Sequence, residues 1–432
     1  MRKSRFAYFR VPESGRRRQL RPDSSMLRNR ILFPVLLLFA CADRGVDRQN
    51  PEQLRFMEFN AEDIRTSDLR DGSNPRLRQL AEIVQAYRPD VLMISEFAYD
   101  YEGVAGYDSS TGEGANGDRL IRNYLGVPQR EGLEPISYSY FARPTNTGVA
   151  SGLDLDNSGN VSTEFPPVQT AGADGQAPRQ TREEREYGND AWGFGTFPGQ
   201  YGMLLLVRPD IEILTNRTRT FQHFKWSQMP GALEPADSLG NKWYSSEEWQ
   251  AFRLSSKSHW DVPIRLENGG IVHLLLAHPT PPAFDGPEQR NKKRNHDEIR
   301  FWGDYIRGAD YIVDDAGRRG GLPDGASFVI MGDLNADVDE GSSFGNPVEQ
   351  FLFSNSRVNS SFVPRADSMG AALFERLDAD DTAQWGLRVD YVLPSSDLTV
   401  VDGGIVRRPG YIVSDHFPVW LDVDVPGEDR RQ

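Results

Sequence analysis

The sequence predicts an α/β sandwich, on the evidence of three consecutive segments. Residues 54–59 alternate apolar and polar side chains as a strand does, and residues 90–95 form a second, apolar strand. Between them, residues 77–87 carry apolar side chains at helical spacing, and Pro89 ends that helix. Because a strand, a helix and a strand follow each other within about forty residues, an α/β architecture is favoured over an all-β one.

The later elements follow the same rules, apart from one long segment. Residues 97–200 are rich in Gly, Asp, Asn, Ser and Thr and have few periodic apolar runs, so we interpret them as a large loop insertion on the face that carries the site. The turn Glu267-Asn-Gly-Gly270 predicts a hairpin. Further strands are predicted at 201–207, 262–266, 271–277, 327–331, 388–393 and 420–425, with a helix from about Asn295.

The N-terminus has the pattern of a targeting segment. Arg28 and Arg30 precede an apolar run at 31–40, which is too short to span a bilayer but suits a secretory signal. The sequence Leu38-Phe-Ala-Cys41 resembles the lipobox of bacterial lipoproteins, whose cysteine is lipidated after cleavage. This resemblance implies a lipoprotein exported to the cell envelope and held in the membrane by its N-terminal lipid. The alternative is an ordinary signal peptide in which Cys41 is incidental.

These segments define the expected domain organisation. Met26 makes a more natural start than Met1, because a start at Met1 would give an unusually long charged region before the signal. Cys41 is the only cysteine, so no intramolecular disulfide is expected. The predicted order is a signal peptide with lipobox at 1–41, a polar tether at 42–53, a folded domain at 54–425 and a polar tail at 426–432.

Composition restricts the class of protein but does not choose a substrate. The chain has 432 residues, with 49 Lys and Arg against 63 Asp and Glu, giving a formal charge of -14. Such acidity opposes long-range attraction of a polyanion, although a bound cation can reverse the field in a pocket. The sequence contains neither a G-x-S-x-G elbow nor a P-loop, which disfavours a serine hydrolase or a nucleoside triphosphatase.

The stretch 327–337 carries the clearest chemical signal. An apolar strand leads to Gly332, and Asp333 and Asn335 follow two positions apart, so an extended chain points both side chains the same way. A strand that delivers a carboxylate and a carboxamide to its carboxyl end is typical of a site at the edge of a buried sheet. Asp337 shares this spacing but has no assigned role.

Other predicted strands also end in polar residues. Hard oxygen donors without a thiolate or an H-E-x-x-H helix suit Mg²⁺, Mn²⁺ or Ca²⁺ better than a structural zinc, and such a cation binds phosphate oxygens. Histidines beside carboxylates are suited to proton transfer. The residues at strand ends are Asn60, Glu62, Glu96, His278, Asp333, Asn335, Asp390, Asp415 and His416.

Six short motifs together resemble one family, the endonuclease/exonuclease/phosphatase superfamily, which includes deoxyribonuclease I. The resemblance implies a four-layered α/β sandwich, with two mixed β-sheets flanked by helices, and a divalent-metal-dependent phosphoester hydrolase. The motifs, in chain order, are Phe59-Asn60, Ile94-Ser-Glu96, Leu276-Ala-His278-Pro, Met331-Gly-Asp-Leu-Asn335, Arg388-Val-Asp-Tyr391 and Ser414-Asp-His416.

The same resemblance implies a role for each matching residue. Glu96 matches the metal-binding glutamate, and Asn60 its neighbour, which positions the metal or phosphate. Asp333 matches the aspartate that orients or deprotonates the attacking water, and Asn335 the amide that contacts a phosphate oxygen. The remaining matches are His416 on the scissile phosphate, Asp390 orienting it, Asp415 near the metal or that histidine, and His278 as a general acid. Glu62 stands where some members have an aspartate, which leaves its metal role in doubt.

Four further histidines and a basic cluster have weaker signals. His259 begins a strand where deoxyribonuclease-like members have a phosphate-contacting arginine, and it is the candidate for that contact. His296, beside two acids, is expected to be exposed or capping, while His223 and His273 are expected to be structural. The cluster Arg290, Lys292, Lys293 and Arg294 fits either an anionic-substrate contact or, more simply, a solvated loop entering a helix.

A calcium loop is a second metal prediction. Asp154-Leu-Asp-Asn-Ser-Gly-Asn160 has the opening pattern of such a loop, but Phe165 occupies the position where a bidentate Glu belongs. The same residue types also form ordinary turns, so both interpretations stay open.

The sequence thus predicts an exported, lipid-anchored, Mg²⁺- or Mn²⁺-dependent phosphoesterase. A nuclease or phosphodiesterase is favoured by His278, whereas the acidic composition and the lack of an aromatic and basic stripe disfavour nucleic acid. The alternatives are a lipid- or sugar-phosphate phosphatase or phospholipase C-like enzyme, and a non-catalytic surface binding protein on the same fold. No obligate protein partner is inferred.

Overall fold

The computed structural model describes residues 51–408 and 413–427, and their strands form two mixed β-sheets. The strands are β1 (Glu52–Ile64), β2 (Val91–Phe97), β3 (Ser139–Phe141), β4 (Met203–Val207), β5 (Glu212–Ile213), β6 (Arg219–Thr220), β7 (His259–Arg265), β8 (Ile271–Ala277), β9 (Ser327–Asp333), β10 (Asp390–Pro394), β11 (Thr399–Ile405) and β12 (Val419–Val425). The first sheet has the order β11-β12-β1-β2-β4-β3, and the second the order β10-β9-β8-β7-β5, with β6 also pairing with β7. Pairing is parallel between β1 and β2 and between β8 and β9.

The part of the chain that the structure describes contains six α-helices, of which two are long. In the first long helix, Asn74 caps the N-terminus by accepting from the backbone N–H groups of Arg76 and Leu77, and Arg88 ends the helix in a left-handed conformation. The helices are α1 (Pro75–Tyr87), α2 (Asn116–Leu120), α3 (Arg182–Asn189), α4 (Ser246–Ala251), α5 (Arg290–Ile306) and α6 (Ser368–Leu373).

Three apolar layers hold these elements together. Leu54 and Phe56 of β1 point into the core between the two sheets, whereas Met57 and Phe59 of the same strand point to the outer face, where Leu80 of α1 packs. On the outer face of the second sheet, Leu275 of β8 packs in one cluster with α5. The resulting order, helix, sheet, sheet, helix, confirms the predicted four-layered α/β sandwich.

The two sheets place the predicted polar residues at one edge. Asn60 pairs with Ser95 across β1 and β2, so Glu96 follows directly beside it. Asp390 pairs with Asp333 across β10 and β9. Both pairs lie where the parallel strands of their sheet end, which is why residues far apart in the sequence can meet there.

Gly332 is required by the close approach of β9 and β8. Its φ is 151°, and a Cβ atom at this position would lie 1.8 Å from the carbonyl oxygen of Ala277. Only glycine fits, so the backbone before Asp333 is held tightly against the neighbouring strand.

Several predicted boundaries differ from the structure. Helix α5 begins at Arg290 rather than near Asn295, and β11 had no clear sequence signal. The segment 97–200 is not only loop, since it supplies β3 to the edge of the first sheet as well as α2 and α3. Strand β1 begins at Glu52, inside the predicted tether. The predicted start, signal peptide, lipobox and Cys41 lie outside the described residues, and no helix within those residues is long and apolar enough to cross a bilayer.

Candidate active site

Eight of the predicted site residues meet at one cleft of about 1030 Å³. Six of them line it directly: Glu96, His278, Asp333, Asn335, Asp415 and His416. The other two are buried against these six, since Asn60 donates to Asp333 and Asp390 binds His416. The motifs that were separate in the sequence therefore form one site.

Asp333 lies at the centre of this site. Its Oδ2 atom is 3.0 Å from the Asn60 Nδ2 donor and 3.3 Å from His278 Nε2, while its Oδ1 accepts from the backbone N–H of Asn335 at 2.8 Å. Burial would raise the pKa of the Asp333 carboxyl, but the His416 charge and the His278 hydrogen bond outweigh it and hold that pKa below its ordinary range. Asp333 is therefore an anion at neutral pH, as an acceptor for a water proton must be.

His416 and Asp390 form a buried ion pair beside it. The Nδ1 of His416 is 2.8 Å from Asp390 Oδ2, and its Nε2 is 3.8 Å from Asp333 Oδ2. Burial lowers the pKa of His416, but the carboxylates of Asp390 and Asp333 outweigh burial and raise it to about 10. At neutral pH the ring is an imidazolium whose Nε2 side faces the cleft.

This ion pair predicts how stability depends on pH in the metal-free protein. Because folding raises the pKa of His416 from 6.5 to about 10, its stabilising effect is complete below pH 6.5 and is lost as pH rises towards 10. In urea unfolding with a chelator, we expect the free energy of unfolding of the wild type to fall over this range more steeply than that of His416→Gln. Parallel curves for the two proteins would contradict the ion pair.

His278 lines the cleft beside Asp333. Burial, with a further contribution from Lys257, lowers its pKa to about 4, so the ring is neutral at pH 7. Its Nε2 lies 3.3 Å from Asp333, and its Nδ1 has no hydrogen-bond partner within residues 51–408 and 413–427. A neutral ring that donates to Asp333 orients that carboxylate, and the predicted role of His278 as a general acid stays a prediction.

Asn335 leaves the strand in a strained conformation. Its φ is 53°, in the left-handed region, and its Nδ2 donates to the carbonyl oxygen of Pro279 at 3.1 Å. One amide hydrogen is thus used to fix the side chain, and the other is available to an oxygen in the cleft. Strained backbone of this kind persists where the surroundings hold a functional group in place.

A further acid, Glu58, lies beneath the site and was not singled out from the sequence. It is fully buried in β1 and accepts from the Ser95 hydroxyl at 3.0 Å. Burial and then the charges of Asp390 and Asp333 raise the pKa of Glu58 well above its ordinary value. Because Glu58 is a neutral carboxylic acid, it does not add a third negative charge beside Asp390 and Asp333.

Three acids that line the cleft are of the residue type that binds a hard divalent cation. Glu96, Glu62 and Asp415 all line the cleft, and the Asp415 N–H donates to Glu62 Oε2 at 3.3 Å. Burial and the nearby Asp415 raise the pKa of Glu62, a repulsion that a bound cation would relieve. Asn60 fits less well as a ligand, because its Oδ1 accepts from the Glu62 N–H and its Nδ2 faces Glu96 Oε1 at 3.3 Å.

Ligand atoms of Asp333, Asp390 and His416 also lie within 4.8 Å of one another. An imidazolium cannot ligate a metal, since the lone pair that would bind it carries a proton. Without a metal, the charge of His416 favours an ion pair with these carboxylates, so both this cluster and the Glu96 side are candidates for the metal.

The pKa of Glu96 predicts a pH-dependent metal affinity. Burial raises this pKa to about 7, with partial compensation by the charges of His416 and Lys257. A cation must displace the proton, so Mn²⁺ binding, measured by calorimetry, should weaken by up to about tenfold per pH unit below pH 7. We expect Glu96→Gln to bind weakly with little dependence on pH in this range. Equal affinity of the wild type at about pH 6 and about pH 8 would exclude Glu96 as the titrating ligand.

Lys257 is a cleft residue that sequence reasoning missed. It precedes β7, is only 5% exposed, and forms no salt bridge within the described residues. Burial lowers its pKa, while the charges of Glu298, Glu96 and Asp333 oppose that effect. A buried cation without a direct partner is suited to an anionic group in the cleft.

His259 does not contact the cleft, so its predicted phosphate contact is wrong. It is 1% exposed, its Nδ1 contacts Ser255 Oγ, and its Nε2 is 2.9 Å from the Glu298 carbonyl oxygen. Its ring packs against Phe301 and Trp302. Both ring nitrogens are used inside the core, and Lys257, two residues earlier, is the cation that reaches the cleft.

The other histidines have structural surroundings. His296 is buried, contrary to expectation, with its Nδ1 2.9 Å from Asp297 and its ring against Phe351. As predicted, His273 and His223 lie away from the cleft. His273 forms a buried pair with Asp261 at 2.7 Å, and His223 is more than half exposed.

The basic cluster is part of α5 rather than a loop at its entry. Arg290 and Arg294 line the cleft, whereas Lys292 and Lys293 do not. Arg294 is 7% exposed because its guanidinium donates to the backbone carbonyl oxygens of Leu254 and Trp192. The simpler interpretation, a solvated helix entry, is therefore wrong for the two arginines.

The predicted calcium loop acquires a third acid from outside the loop. Carboxylate oxygens of Asp154, Asp156 and Asp190 lie within 4.8 Å of one another. Asp190 itself accepts from the backbone N–H groups of Leu155 and Ser162. These bonds explain the arrangement without an ion, so calcium at this loop stays a prediction.

The chain matches one family of known proteins. The model of the Endonuclease/Exonuclease/phosphatase family matches residues 59–416. No curated protein matches the chain. Among solved structures, the chain is similar to an endonuclease/exonuclease/phosphatase from Beutenbergia cavernae DSM 12333 (15% identity, covering 87% of this chain and 72% of that one, TM-score 0.46). It is also similar to the human Nocturnin catalytic domain with bound sulfate (14%, 87% and 94%, TM-score 0.42) and to D. rerio TDP2 complexed with a single-strand DNA product (11%, 86% and 99%, TM-score 0.42).

Proposed function

Since this chain belongs to the endonuclease/exonuclease/phosphatase family, whose members are phosphoester hydrolases, we propose that it hydrolyses phosphodiesters by attack of water on phosphorus. The observation that carries the proposal is the pairing of an ionised Asp333 with the His416 imidazolium, 3.8 Å apart at the cleft. This pair places a proton acceptor beside a cation. Hydrolysis of a phosphate ester needs both, one for the water and one for the charge that develops.

The residues of the chain then divide into separate tasks. Asp333, held by Asn60 and His278, orients the water and accepts its proton. The His416 imidazolium, held by Asp390, stabilises the charge that grows on the phosphate oxygens, and Asn335 donates its free amide hydrogen to one of them. A divalent cation held by Glu96, with Glu62 and Asp415 beside it, would supply further stabilisation of that charge.

The shape of the cleft favours a diester over a monoester. Besides the reactive residues, the cleft is lined by residues of α3, by residues 281–284, and by Trp385 and Leu387. A volume of about 1030 Å³ leaves room for a group on each side of the phosphorus. A monoester would fill only one side.

Two chromogenic substrates test this proposal. With Mg²⁺ or Mn²⁺, we expect turnover of bis-(p-nitrophenyl) phosphate to exceed that of p-nitrophenyl phosphate, and a chelator to abolish it. Preference for the monoester would favour the phosphatase alternative. Turnover of sphingomyelin without turnover of oligonucleotides would favour the phospholipase C-like alternative.

Lys257 should contribute to substrate binding through its charge. We expect Lys257→Met to lower kcat/KM for a diester by roughly ten- to a hundredfold, because a hydrogen bond to a charged group contributes about 1.5–3 kcal/mol. Lys257→Arg should recover part of this loss. The exposed Lys242→Met is the matched control, with an unchanged rate expected. Equal rates for Lys257→Met and the wild type would remove Lys257 from the site.

We also propose that the enzyme is an exported lipoprotein that uses Mg²⁺ or Mn²⁺. Support for export comes from the charged and apolar pattern before Cys41. Labelling with radioactive palmitate in a bacterial host should mark the wild type and not Cys41→Ser. Secretion without labelling would favour the ordinary signal peptide.

A further inference from the structure

Three exposed aromatic side chains line the cleft, and they come from three separate segments. Phe194 is 40% exposed, Phe284 90% and Trp385 51%. Within residues 51–408 and 413–427, the other large apolar side chains with this much exposure are aliphatic, and none of them lines the cleft: Val127, Val161, Leu239, Met369, Leu373 and Val401. Exposed apolar surface gathered around a concave site is typical of ligand binding. We call Phe194, Phe284 and Trp385 the aromatic rim.

The fold fixes the backbone of Phe284 and the ring of Phe194. Phe284 adopts a φ of 60°, which is strained for a bulky residue, and the carbonyl oxygen of its neighbour Ala283 accepts from Asn291 at 2.7 Å. Phe194 packs so closely on Gly188 of α3 that a Cβ at Gly188 would lie 2.9 Å from its ring. A ring that is already packed, such as that of Phe194, can bind a ligand with little loss of side-chain entropy.

Trp385 places the aromatic rim next to the reaction. Its ring centroid is 4.9 Å from that of His416, with the two rings nearly perpendicular. A group attached to the phosphate beside His416 would therefore lie against Trp385. The rim is positioned to contact the organic part of a phosphodiester.

Cations accompany these rings along the same cleft. Arg182 and Arg185 of α3 and Arg290 of α5 line it, although the chain as a whole has a charge of -14. The Arg182 guanidinium is paired with Glu186, whereas Arg185 donates to the carbonyl oxygen of Gln180. Arginines beside exposed aromatic faces form the surface that single-stranded nucleic acid recognises through its backbone and unstacked bases.

We propose that the cleft takes single-stranded nucleic acid, with its unpaired bases stacked on the aromatic rim. The inference rests on the proposed phosphodiesterase function. In a duplex the bases stack on one another and their faces are not available to side chains, so a duplex cannot use the rim. Acyl chains of a lipid have no flat face that could stack on an aromatic ring, and aliphatic side chains would bind them equally well. A rim made only of aromatic residues therefore favours unpaired bases over a lipid.

Binding of labelled oligonucleotides tests the inference without requiring turnover. We expect the full-length Asp333→Asn protein to bind a fluorescein-labelled octathymidylate, measured by anisotropy, at least about tenfold more tightly than a duplex of the same length. Phe284→Ala and Phe284→Leu in that background should each weaken binding by roughly tenfold, because stacking contributes about 1–3 kcal/mol per base. Phe284→Tyr should restore it, and Val401→Ala is the remote control.

The outcomes separate this inference from the proposed function. Tight binding of the single strand together with failure of the wild type to hydrolyse bis-(p-nitrophenyl) phosphate would overturn the function and leave the inference standing. Turnover of that diester together with equal binding of single strand and duplex would overturn the inference alone. Wild-type affinity in Phe284→Leu, or binding to phosphatidylcholine vesicles in preference to the oligonucleotide, would also overturn it.

Discussion

Asp333→Asn should lower kcat for diester hydrolysis by roughly 10²–10⁴-fold, because the proton acceptor for the attacking water is lost. In the wild type, Asn60 Nδ2 and His278 Nε2 lie 3.0 Å and 3.3 Å from Asp333 Oδ2. The amide keeps the size of the carboxyl group, so both residues can still contact the side chain. The loss should appear in kcat rather than in KM, since the carboxylate acts on water and not on substrate. Initial rates on bis-(p-nitrophenyl) phosphate measure it.

Asp339→Asn is the matched control for this variant. Asp339 belongs to the same segment after β9, but it does not line the cleft, and we expect its replacement to leave the rate unchanged. Thermal unfolding should show both variants folded. A rate for Asp333→Asn within threefold of the wild type would remove Asp333 from the proposed chemistry.

His416→Gln should lower kcat by roughly 10²–10³-fold, the usual loss when one donor to a developing oxyanion is removed. Asp390→Asn should cost less at neutral pH, because the imidazole stays in the cleft while its pKa falls. Without the Asp390 carboxylate, which raises the pKa of His416, the alkaline limb of the pH–rate profile should move to lower pH. The profile thus separates loss of the ring from loss of its charge.

His273→Gln provides a control of the same chemistry at a remote position. His273 also forms a buried pair with an aspartate, Asp261, but the pair lies away from the cleft. We expect this variant to lose stability and to keep the wild-type rate and pH profile. Loss of activity on the same scale in both histidine variants would mean that folding, not chemistry, explains the effect.

The sequence could predict the centre of the site because that part depends on local patterns. Alternating or apolar runs identify strands, and the residues that end them meet at one edge once the sheets form. Asp333 is the last residue of β9 and Glu96 lies near the end of β2, and both positions can be read from their own segments. The α/β class followed from the order of the same elements, whereas the four layers were implied by the family resemblance.

Other parts of the site depend on contacts between distant segments. Lys257 reaches the cleft because Glu298 of α5 accepts from the N–H groups of both Ser256 and Thr280, which fixes the chain before β7. Spacing alone could not show which of Lys257 and His259, two residues apart, reaches the cleft. Only the fold shows that the histidine is buried in the core. Asp190 likewise meets Asp154 only through the fold.

The walls of the cleft were the least predictable feature. The segment 97–200 has a loop-like composition, yet its capping box at Thr181 and Glu184 starts α3, which carries arginines to the cleft. The aromatic rim consists of single residues from three segments, so no stretch of the sequence shows the aromatic and basic stripe that would have favoured nucleic acid. A surface that is assembled from separate segments cannot be recognised as a stripe in the sequence.

The fate of isotopically labelled water tests the central claim most directly. If water beside Asp333 attacks phosphorus, hydrolysis of bis-(p-nitrophenyl) phosphate in water enriched in heavy oxygen should place the label in p-nitrophenyl phosphate, as read by mass spectrometry. The p-nitrophenol released in the same reaction should carry none. Label in p-nitrophenol, with none in the phosphate product, would contradict the account.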